Sequence, residues 1–339
     1  MGTGLCTSWP GWYNRECVLV RAQGSLGKEK AMGSETDRRT FIKGAALATA
    51  GAALGLGGAE SVMGQAAVAQ SGLPKGKIRD MEMGRMLLGG NLLTHYTHSR
   101  DLQYVYNLTK HYNTQEKVFD TMALAEEHGV NALVIHTAPN VLGMMKQYRE
   151  KRKGKMQWII CSTAPIEDAV KYRQSLQEMV DAGADAVYVW GVHTDGLIGK
   201  VGVIAKAVEM GKALGVPCGV GAHELQVIQE CEKAKVEADF YIKTLHHHNY
   251  PSAKLNHDSM WCKNPEETIA FMKTVDKPWI SFKVMAAGAI PPEDALRYVF
   301  TNGADFSLAG MFDFEIAEDV QIAKRVLASV TGRTRAWHG

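Results

Sequence analysis

Short apolar runs alternate with amphipathic stretches through most of the chain. Each run is rich in Val, Ile or Ala, and the segment after it has apolar positions at helical spacing. The pattern predicts strands at residues 85–89, 132–136, 157–161, 186–190, 217–221, 239–243, 279–284 and 305–309. It predicts helices at residues 115–128, 141–151, 166–182, 197–214, 224–234, 265–275, 292–301 and 314–330.

Eight strand–helix units in about 250 residues favour a single α/β domain, a (β/α)8 TIM barrel. Continuous apolar strands followed by helices are typical of parallel strands that are covered on their outer face. The alternative is a doubly wound open sheet, but the Gly-rich first turn of that fold is missing. We expect the barrel to span residues 70–339, with residues 71–83 as a lead-in and 104–113 as an active-site loop.

Residues 1–69 have the composition of a targeting segment. Arg38 and Arg39 precede a weakly apolar Ala/Gly/Leu stretch at 45–59, and residues 67–69 offer a small-residue cleavage site. This order is typical of a twin-arginine signal. It predicts export by the twin-arginine machinery to the periplasm or another exported location, with no membrane anchor after cleavage. Met32 is an alternative start of the chain.

Charge and cysteine content exclude several classes of protein. Lys and Arg number 38 against 36 Asp and Glu, so the net charge of +2 argues against a dedicated nucleic-acid binder. The expected mature chain keeps Cys161, Cys218, Cys231 and Cys262, without a CxxC motif. Cys161 and Cys218 lie in apolar strand runs, which predicts buried thiols at these two positions, and the spacing of the four argues against a disulfide framework. With nucleic acid argued against by the net charge, the expected partner is a small-molecule substrate.

Polar residues follow nearly every predicted strand. In a TIM barrel the chemistry lies at the carboxyl ends of the strands and in the loops after them. The residues at these positions are Asn91, His95, His98, Arg100, Asp101, His136, Ser162, Thr163, His193, Asp195, His223, Glu224, His246, His247, His248, Asn249, Tyr250, His257, Asp258, Trp261 and Asp313. This set is typical of a pocket for a small polar molecule that bears a carbonyl or hydroxyls.

Two lysines fall within predicted strands. The alternation of side chains predicts that Lys243 on the sixth strand, and Ser281 and Lys283 on the seventh, point into the barrel. A buried ammonium must be paired, deprotonated or bound to a ligand. A lysine of lowered pKa can form a Schiff base or act as a base. The alternative is a structural salt bridge across the barrel, for example to Asp305 or Asp313.

These residues lead to a hypothesis of proton-transfer chemistry, of the lyase or isomerase type. In it, His246 or His247 is the general acid or base, and Lys243 is an electrostatic stabiliser or a Schiff-base amine. Lys283 and Asn91 orient the substrate. Further predicted substrate contacts are His98, Asn249, Tyr250, Trp261 and Asp313. Because Trp261 lies in a polar loop, it can also serve as a platform for a sugar ring.

The histidines also allow a divalent metal site. His223 and His246 follow neighbouring predicted strands and form the best pair of ligands, with Glu224 or His193 completing the shell. No short motif such as HxH or HExxH is present. The alternatives are a metal-free organic pocket that is lined by imidazoles, and a His-rich surface loop without function.

Four segments, in order, resemble the aldo/keto reductase superfamily. They are residues 127–131 with 137–139, residues 211–221, residues 282–288 and residues 309–311. The first two are similar to the second strand of that family and to the approach to its fifth strand. The last two are similar to its seventh and eighth strand ends, where the family holds NADP(H). The resemblance implies a TIM barrel, and it implies that the barrel binds a nicotinamide cofactor.

The sequence departs from that family at its catalytic tetrad of Asp, Tyr, Lys and His. The matching positions hold His136, Val141, Cys161 with Ser162, and Trp190. Without the Tyr acid and its Lys partner, carbonyl reduction by the family's route lacks its proton donor. Two alternatives to the lyase or isomerase hypothesis therefore remain open. One is an NADP(H)-dependent oxidoreductase with a rebuilt acid, and the other is a non-catalytic periplasmic binding protein.

Overall fold

The computed structural model describes residues 72–339, and within them eight parallel strands close into a barrel. Each strand pairs with the next one along the chain, and the last pairs with the first. The predicted (β/α)8 fold is confirmed. The barrel strands are β3 (Met86–Gly89), β4 (Ala132–His136), β5 (Gln157–Cys161), β6 (Ala186–Val189), β7 (Cys218–Ala222), β8 (Tyr241–Thr244), β9 (Trp279–Phe282) and β10 (Phe306–Ala309). The predicted export signal, cleavage site and alternative start lie outside the described residues.

A helix follows every barrel strand, as the periodicity predicts. The helices are α1 (Tyr104–Tyr112), α2 (Gln115–Glu127), α3 (Val141–Arg152), α4 (Ala169–Asp181), α5 (Gly191–Asp195), α6 (Val201–Lys212), α7 (Leu225–Lys233), α8 (Pro265–Met272), α9 (Pro292–Thr301) and α10 (Asp313–Ser329). Helices α1 and α5 were not predicted. Within residues 72–339, all four cysteines are buried and free; burial was predicted for Cys161 and Cys218. None of the helices described there has the length and hydropathy required to cross a membrane.

An antiparallel hairpin, β1 (Lys75–Ile78) and β2 (Met81–Gly84), precedes the barrel and was also not predicted. Its apolar side chains join one cluster whose other members come from the barrel strands, including Ile242, Ile280 and Phe306, and from Phe240 immediately before β8. This cluster is the barrel interior. A second, larger cluster joins the other face of the strands to the helices. The hairpin therefore plugs the amino-terminal end of the barrel.

This division corrects the predicted orientation of the sixth and seventh strands. Ile242 and Ile280 fill the interior, so Lys243 and Ser281, which alternate with them, face the helices. Both faces of a barrel strand are apolar, because one meets the interior and the other meets the helices. Periodicity alone therefore shows which residues share a face of the strand, but it does not show which face meets the barrel interior and which meets the helices.

The carboxyl terminus closes the fold beneath the barrel through a buried ion pair. Arg335 is 4% exposed and its Nη1 lies 2.6 Å from Asp305 Oδ2, while Asp305 is fully buried. Arg335 also donates to the backbone carbonyls of Val275, Lys277 and Gly303. The predicted pairing of Asp305 with a lysine across the barrel is therefore wrong.

One carboxyl on α10 is buried without a partner. Asp319 is 7% exposed, and among residues 72–339 no group donates a hydrogen bond or forms an ion pair with it. Burial, together with the charges of Glu315 and Glu318, raises the pKa of Asp319 from 3.8 to about 6. The folded state therefore binds this proton more tightly than the unfolded chain does.

Replacing Asp319 by asparagine is expected to stabilise the mature protein at pH 7 by about 2–3 kcal/mol. Because the pKa is raised on folding, the contribution of Asp319 to stability is present below about pH 3.8 and is lost as the pH rises to about 6. Urea unfolding at pH 4 and pH 7 measures the difference. The exposed Asp181→Asn on α4 is the matched control, and equal stabilities of Asp319→Asn and wild type at pH 7 would contradict the prediction.

Candidate active site

Lys283 lies over the carboxyl end of the barrel, immediately after β9. Its φ of 56° is in the left-handed region, which a lysine rarely adopts, and this ends the strand. The Nζ atom lies 2.6 Å from His98 Nε2 and 3.6 Å from the centre of the Trp261 ring. A strained backbone conformation of this kind persists only where the surroundings enforce it, and such positions cluster at functional sites.

His98 connects Lys283 to a carboxylate. Its Nδ1 lies 2.8 Å from Asp258 Oδ1, and Asp258 Oδ2 accepts the backbone N–H groups of Ser99 and Arg100 at 3.0 and 3.2 Å. With its Nδ1–H donated to Asp258, a neutral His98 presents the Nε2 lone pair to the Lys283 amine. The three side chains therefore have the order of a nucleophile, a base and a group that orients the base.

Burial governs the protonation of this triad. It lowers the pKa of Lys283 to about 7, although the nearby Asp258 charge acts in the opposite direction. Burial also lowers the pKa of His98, against the hydrogen bond to Asp258. Burial acts to raise the pKa of Asp258, but its hydrogen bond from His98 and further contacts lower it overall. Near pH 7 the site thus holds a large fraction of neutral amine beside a neutral imidazole and a carboxylate.

A second His–Asp pair lies beside the triad. His223, which follows β7, has its Nδ1 2.6 Å from Asp195 Oδ2, and Asp195 also accepts the backbone N–H groups of His223 and Glu224. The His223 ring lies 5.3 Å from the Trp261 ring. Burial lowers the pKa of His223, and the nearby Lys283 contributes in the same direction, while Asp195 opposes it. His223 is therefore a second neutral imidazole at the mouth.

Rings form the other side of the mouth. Centre-to-centre distances are 5.4 Å from Tyr96 to His136, 6.3 Å from His136 to Trp190 and 5.1 Å from Trp190 to His193. Two buried polar atoms of residues at the mouth, His193 Nδ1 in this group and Trp261 Nε1 beside His98 and His223, have no hydrogen-bond partner within the described part of the chain. Buried polar atoms are normally paired, so both are available to polar groups of a ligand.

Two predicted catalytic residues are buried, and their polar side-chain atoms are bonded to neighbouring groups. Lys243 is 1% exposed in the layer between barrel and helices, and its Nζ donates to the backbone oxygen and hydroxyl of Thr244. His246 is fully buried, and its Nε2 accepts the backbone N–H groups of Trp261 and Cys262. The Lys243 amine thus bonds to its neighbour in the chain, and His246 holds the loop that carries Trp261, so these contacts do not support the catalytic roles predicted for them.

The remaining predicted residues occupy several surroundings. His247 contacts Asp294 of α9 at 3.2 Å, and Tyr250 is buried with its hydroxyl donating to the Ser259 carbonyl. Asp313 begins α10 and accepts from Tyr112 and Lys117. Asn249 is exposed. Asn91 lies in a turn after β3, and its backbone carbonyl accepts a hydrogen bond from the Tyr96 N–H. Of the predicted substrate contacts, His98, Trp261 and Lys283 come together.

The two predicted metal ligands, His223 and His246, are both bonded to protein groups. His246 has both ring nitrogens occupied by backbone groups, and His223 is engaged with Asp195. Among residues 72–339, no three His, Cys, Asp or Glu side chains converge so as to hold a metal ion.

Sequence reasoning named all the members of both His–Asp pairs without pairing them. His98 and Asp258 are 160 residues apart, and Asp195 and His223 are 28 residues apart. Their common position after strand ends was the available signal, and it placed them on the same rim of the barrel.

Residues 35–55 match the model of the twin-arginine translocation pathway signal sequence. The chain is thus exported through the twin-arginine pathway, as predicted, and it interacts with that machinery. No curated protein has a significant sequence match to this chain.

Solved structures of aldo-keto reductases have the same fold. A putative aldo-keto reductase from Pseudomonas aeruginosa superposes with a TM-score of 0.54 at 15% identity, over 77% of this chain and 99% of that one. A second structure with that description and organism gives 0.54 at 16% identity, over 76% and 98%. The holo form of an aldo-keto reductase from Bacillus halodurans gives 0.50 at 10% identity, over 78% and 99%. The described chain is therefore a TIM barrel of the aldo-keto reductase type in its fold.

The residues at the last two strand ends do not suit a nicotinamide dinucleotide phosphate. The helices after β9 and β10 begin with carboxylates, Glu293 and Asp294 on α9 and Asp313 and Glu315 on α10. Two bases of this region are already paired, Arg297 with Glu293 and Lys117 with Asp313. A polyphosphate placed there would meet like charge where helix N-termini usually favour anions.

Proposed function

We propose that this exported barrel is an enzyme that acts on a small carbonyl compound through the amine of Lys283. The observation that supports the proposal is the Asp258–His98–Lys283 triad, with distances of 2.8 and 2.6 Å. A lysine with a pKa of about 7 is substantially neutral at physiological pH, so it is a competent nucleophile.

In the proposed reaction the neutral Lys283 nitrogen attacks the carbonyl carbon. Its proton passes to His98 Nε2, while Asp258 stabilises the imidazolium that forms. The carbinolamine oxygen then takes up this proton from His98 and a second proton from solvent water, and it leaves as water, which gives the protonated imine. The protonated imine draws electrons from the bond next to the former carbonyl, and later hydrolysis restores Lys283.

His223 is suited to the second half of the reaction. Its ring lies 5.3 Å from the Trp261 ring, which Lys283 also contacts, and Asp195 holds the His223 ring through Nδ1. Its Nε2 can take a proton from the carbon next to the imine and return it to another atom. This step corresponds to isomerisation, and the same electron sink supports cleavage of an adjacent C–C bond, which is lyase chemistry.

The ring wall is the basis for proposing a polyhydroxylated substrate, such as a sugar derivative. The faces of Trp190 and Trp261 suit a ring with C–H groups, and the free polar atoms His193 Nδ1 and Trp261 Nε1 suit hydroxyls. Because His136 and His193 have pKa values lowered by burial, the wall is uncharged and does not demand an anionic substrate.

Reductive trapping tests the proposal. The mature protein is incubated with glyceraldehyde, dihydroxyacetone and larger keto-sugars, and borohydride then converts any imine into a stable secondary amine. We expect one label per chain on Lys283 by peptide mass mapping. The labelled fraction should rise as the pH passes through about 7, since the neutral amine is the reactive form.

Labels confined to exposed lysines, or a label on Lys243, would contradict this assignment. Stoichiometric binding of a carbonyl compound without a label or a product would instead indicate a non-catalytic binding protein.

A nicotinamide-dependent oxidoreductase is the second candidate, because aldo-keto reductase structures share the fold over almost their whole length. The carboxylates at the starts of α9 and α10 argue against it. Titration of the mature protein with NADPH, followed by cofactor fluorescence, separates the two candidates. Saturable binding together with oxidation of NADPH by an added carbonyl compound would favour the oxidoreductase.

A further inference from the structure

A groove on the outside of the barrel carries three carboxyl groups and no base. It lies between the start of α9 and the first half of α10, and it is lined by Pro292, Phe314, Glu315, Glu318, Asp319 and Ile322. Its volume of about 380 Å³ is within the range that accommodates small organic molecules. The groove is separate from the barrel mouth and plays no part in the reaction proposed above.

Asp319 gives this groove a property that exposed acidic clusters lack. Its side chain lines the groove although the residue is only 7% exposed, and within residues 72–339 no donor or cation satisfies it. A buried carboxyl without a partner costs free energy, and a buried charge normally persists only when it is paired. Glu315 and Glu318, on the same face of the helix, add like charge.

The apolar part of the groove limits the kind of cation that fits. Phe314 is 67% exposed, with its ring stacked at 5.3 Å on Phe312, so an aromatic face is presented beside the carboxyls. Ile322 and Pro292 add apolar surface. An ammonium group would meet carboxylates and a ring face, and an apolar body would cover the exposed Phe314. Within the described chain, three His, Cys, Asp or Glu side chains do not converge here as a metal would require.

We propose that this groove is a binding site for a small organic ammonium compound with an apolar or aromatic body. Asp319 forms the ion pair with the ammonium, Glu318 supports it at the open side, and Phe314 contacts the body. Binding is expected to keep Asp319 ionised, because the ligand supplies the missing counter-charge.

The test uses benzylamine as the probe and benzyl alcohol as its neutral counterpart. Saturation-transfer NMR titrations of the mature protein at pH 7.5 are expected to show benzylamine binding and at least about tenfold weaker binding of the alcohol. Asp319→Asn should weaken benzylamine binding about tenfold, and Phe314→Ala should weaken it to a smaller extent. The surface variant Asp181→Asn should bind as wild type does.

Three results would overturn the proposal. They are equal affinity for the amine and the alcohol, unchanged benzylamine binding in Asp319→Asn, and no binding to wild type at about 10 mM probe. Asparagine keeps the shape of aspartate, and thermal melting of each variant verifies that it is folded. Glu318→Gln alters an exposed carboxyl of the same groove and provides a second measurement that does not depend on a buried substitution.

Discussion

Replacing Lys283 with methionine is expected to abolish reductive labelling of the mouth and to lower turnover by about 10³-fold or more. Methionine has nearly the same volume but no amine, so the carbonyl carbon has no nucleophile. The Asp258–His98 pair remains, and the fold should persist, because the change removes an amine that is already costly to bury. Turnover of the carbonyl compound identified by trapping, with peptide mapping, measures the effect.

Lys243→Met provides the decisive comparison. Periodicity predicted Lys243 as the inward amine, whereas its Nζ contacts only Thr244 in the layer beneath the helices. If Lys283 is the amine, Lys243→Met keeps the label. A label that is lost in Lys243→Met and kept in Lys283→Met would restore the prediction from the sequence.

The largest effect on stability is expected from Arg335→Ala. The substitution leaves the fully buried Asp305 without its closest cation and deprives three backbone carbonyls of their donor. Removing one partner of a buried ion pair costs about 3–5 kcal/mol. Urea unfolding at pH 7, with mature wild type and Arg335→Ala, measures the loss.

Arg325→Ala on the exposed side of α10 is the matched control and should change stability by less than about 0.5 kcal/mol. A loss of stability below about 1 kcal/mol in Arg335→Ala would show that the ion pair with Asp305 does not hold the carboxyl-terminal segment against the barrel.

Sequence reasoning recovered most of the barrel because its signals are local. Two strands, Ala132–His136 and Gln157–Cys161, have the predicted bounds, and the others differ by only a few residues. The hairpin β1–β2 was missed because its strands, KGKI and MEMG, interrupt their apolar positions with charged residues and so lack the continuous apolar run by which the barrel strands were recognised. Helix α1 was missed because its exposed face is apolar, with Tyr104 at 61% and Leu108 at 58% exposure. An amphipathic helix is recognised by apolar side chains on its buried face, whereas the apolar side chains of α1 face solvent.

The export signal, the succession of strands and helices, and the rim at which the polar residues meet could all be predicted from the amino-acid sequence. These follow from composition, from periodicity and from the rule that all parallel strands end at one side of a barrel. Which lysine reaches that rim depends on how the barrel packs. Both faces of a barrel strand are apolar, so only the hairpin packed inside shows that Lys243 faces the helices. Likewise, the partners His98 and Asp258 come from loops 160 residues apart, and only closure of the barrel brings them together.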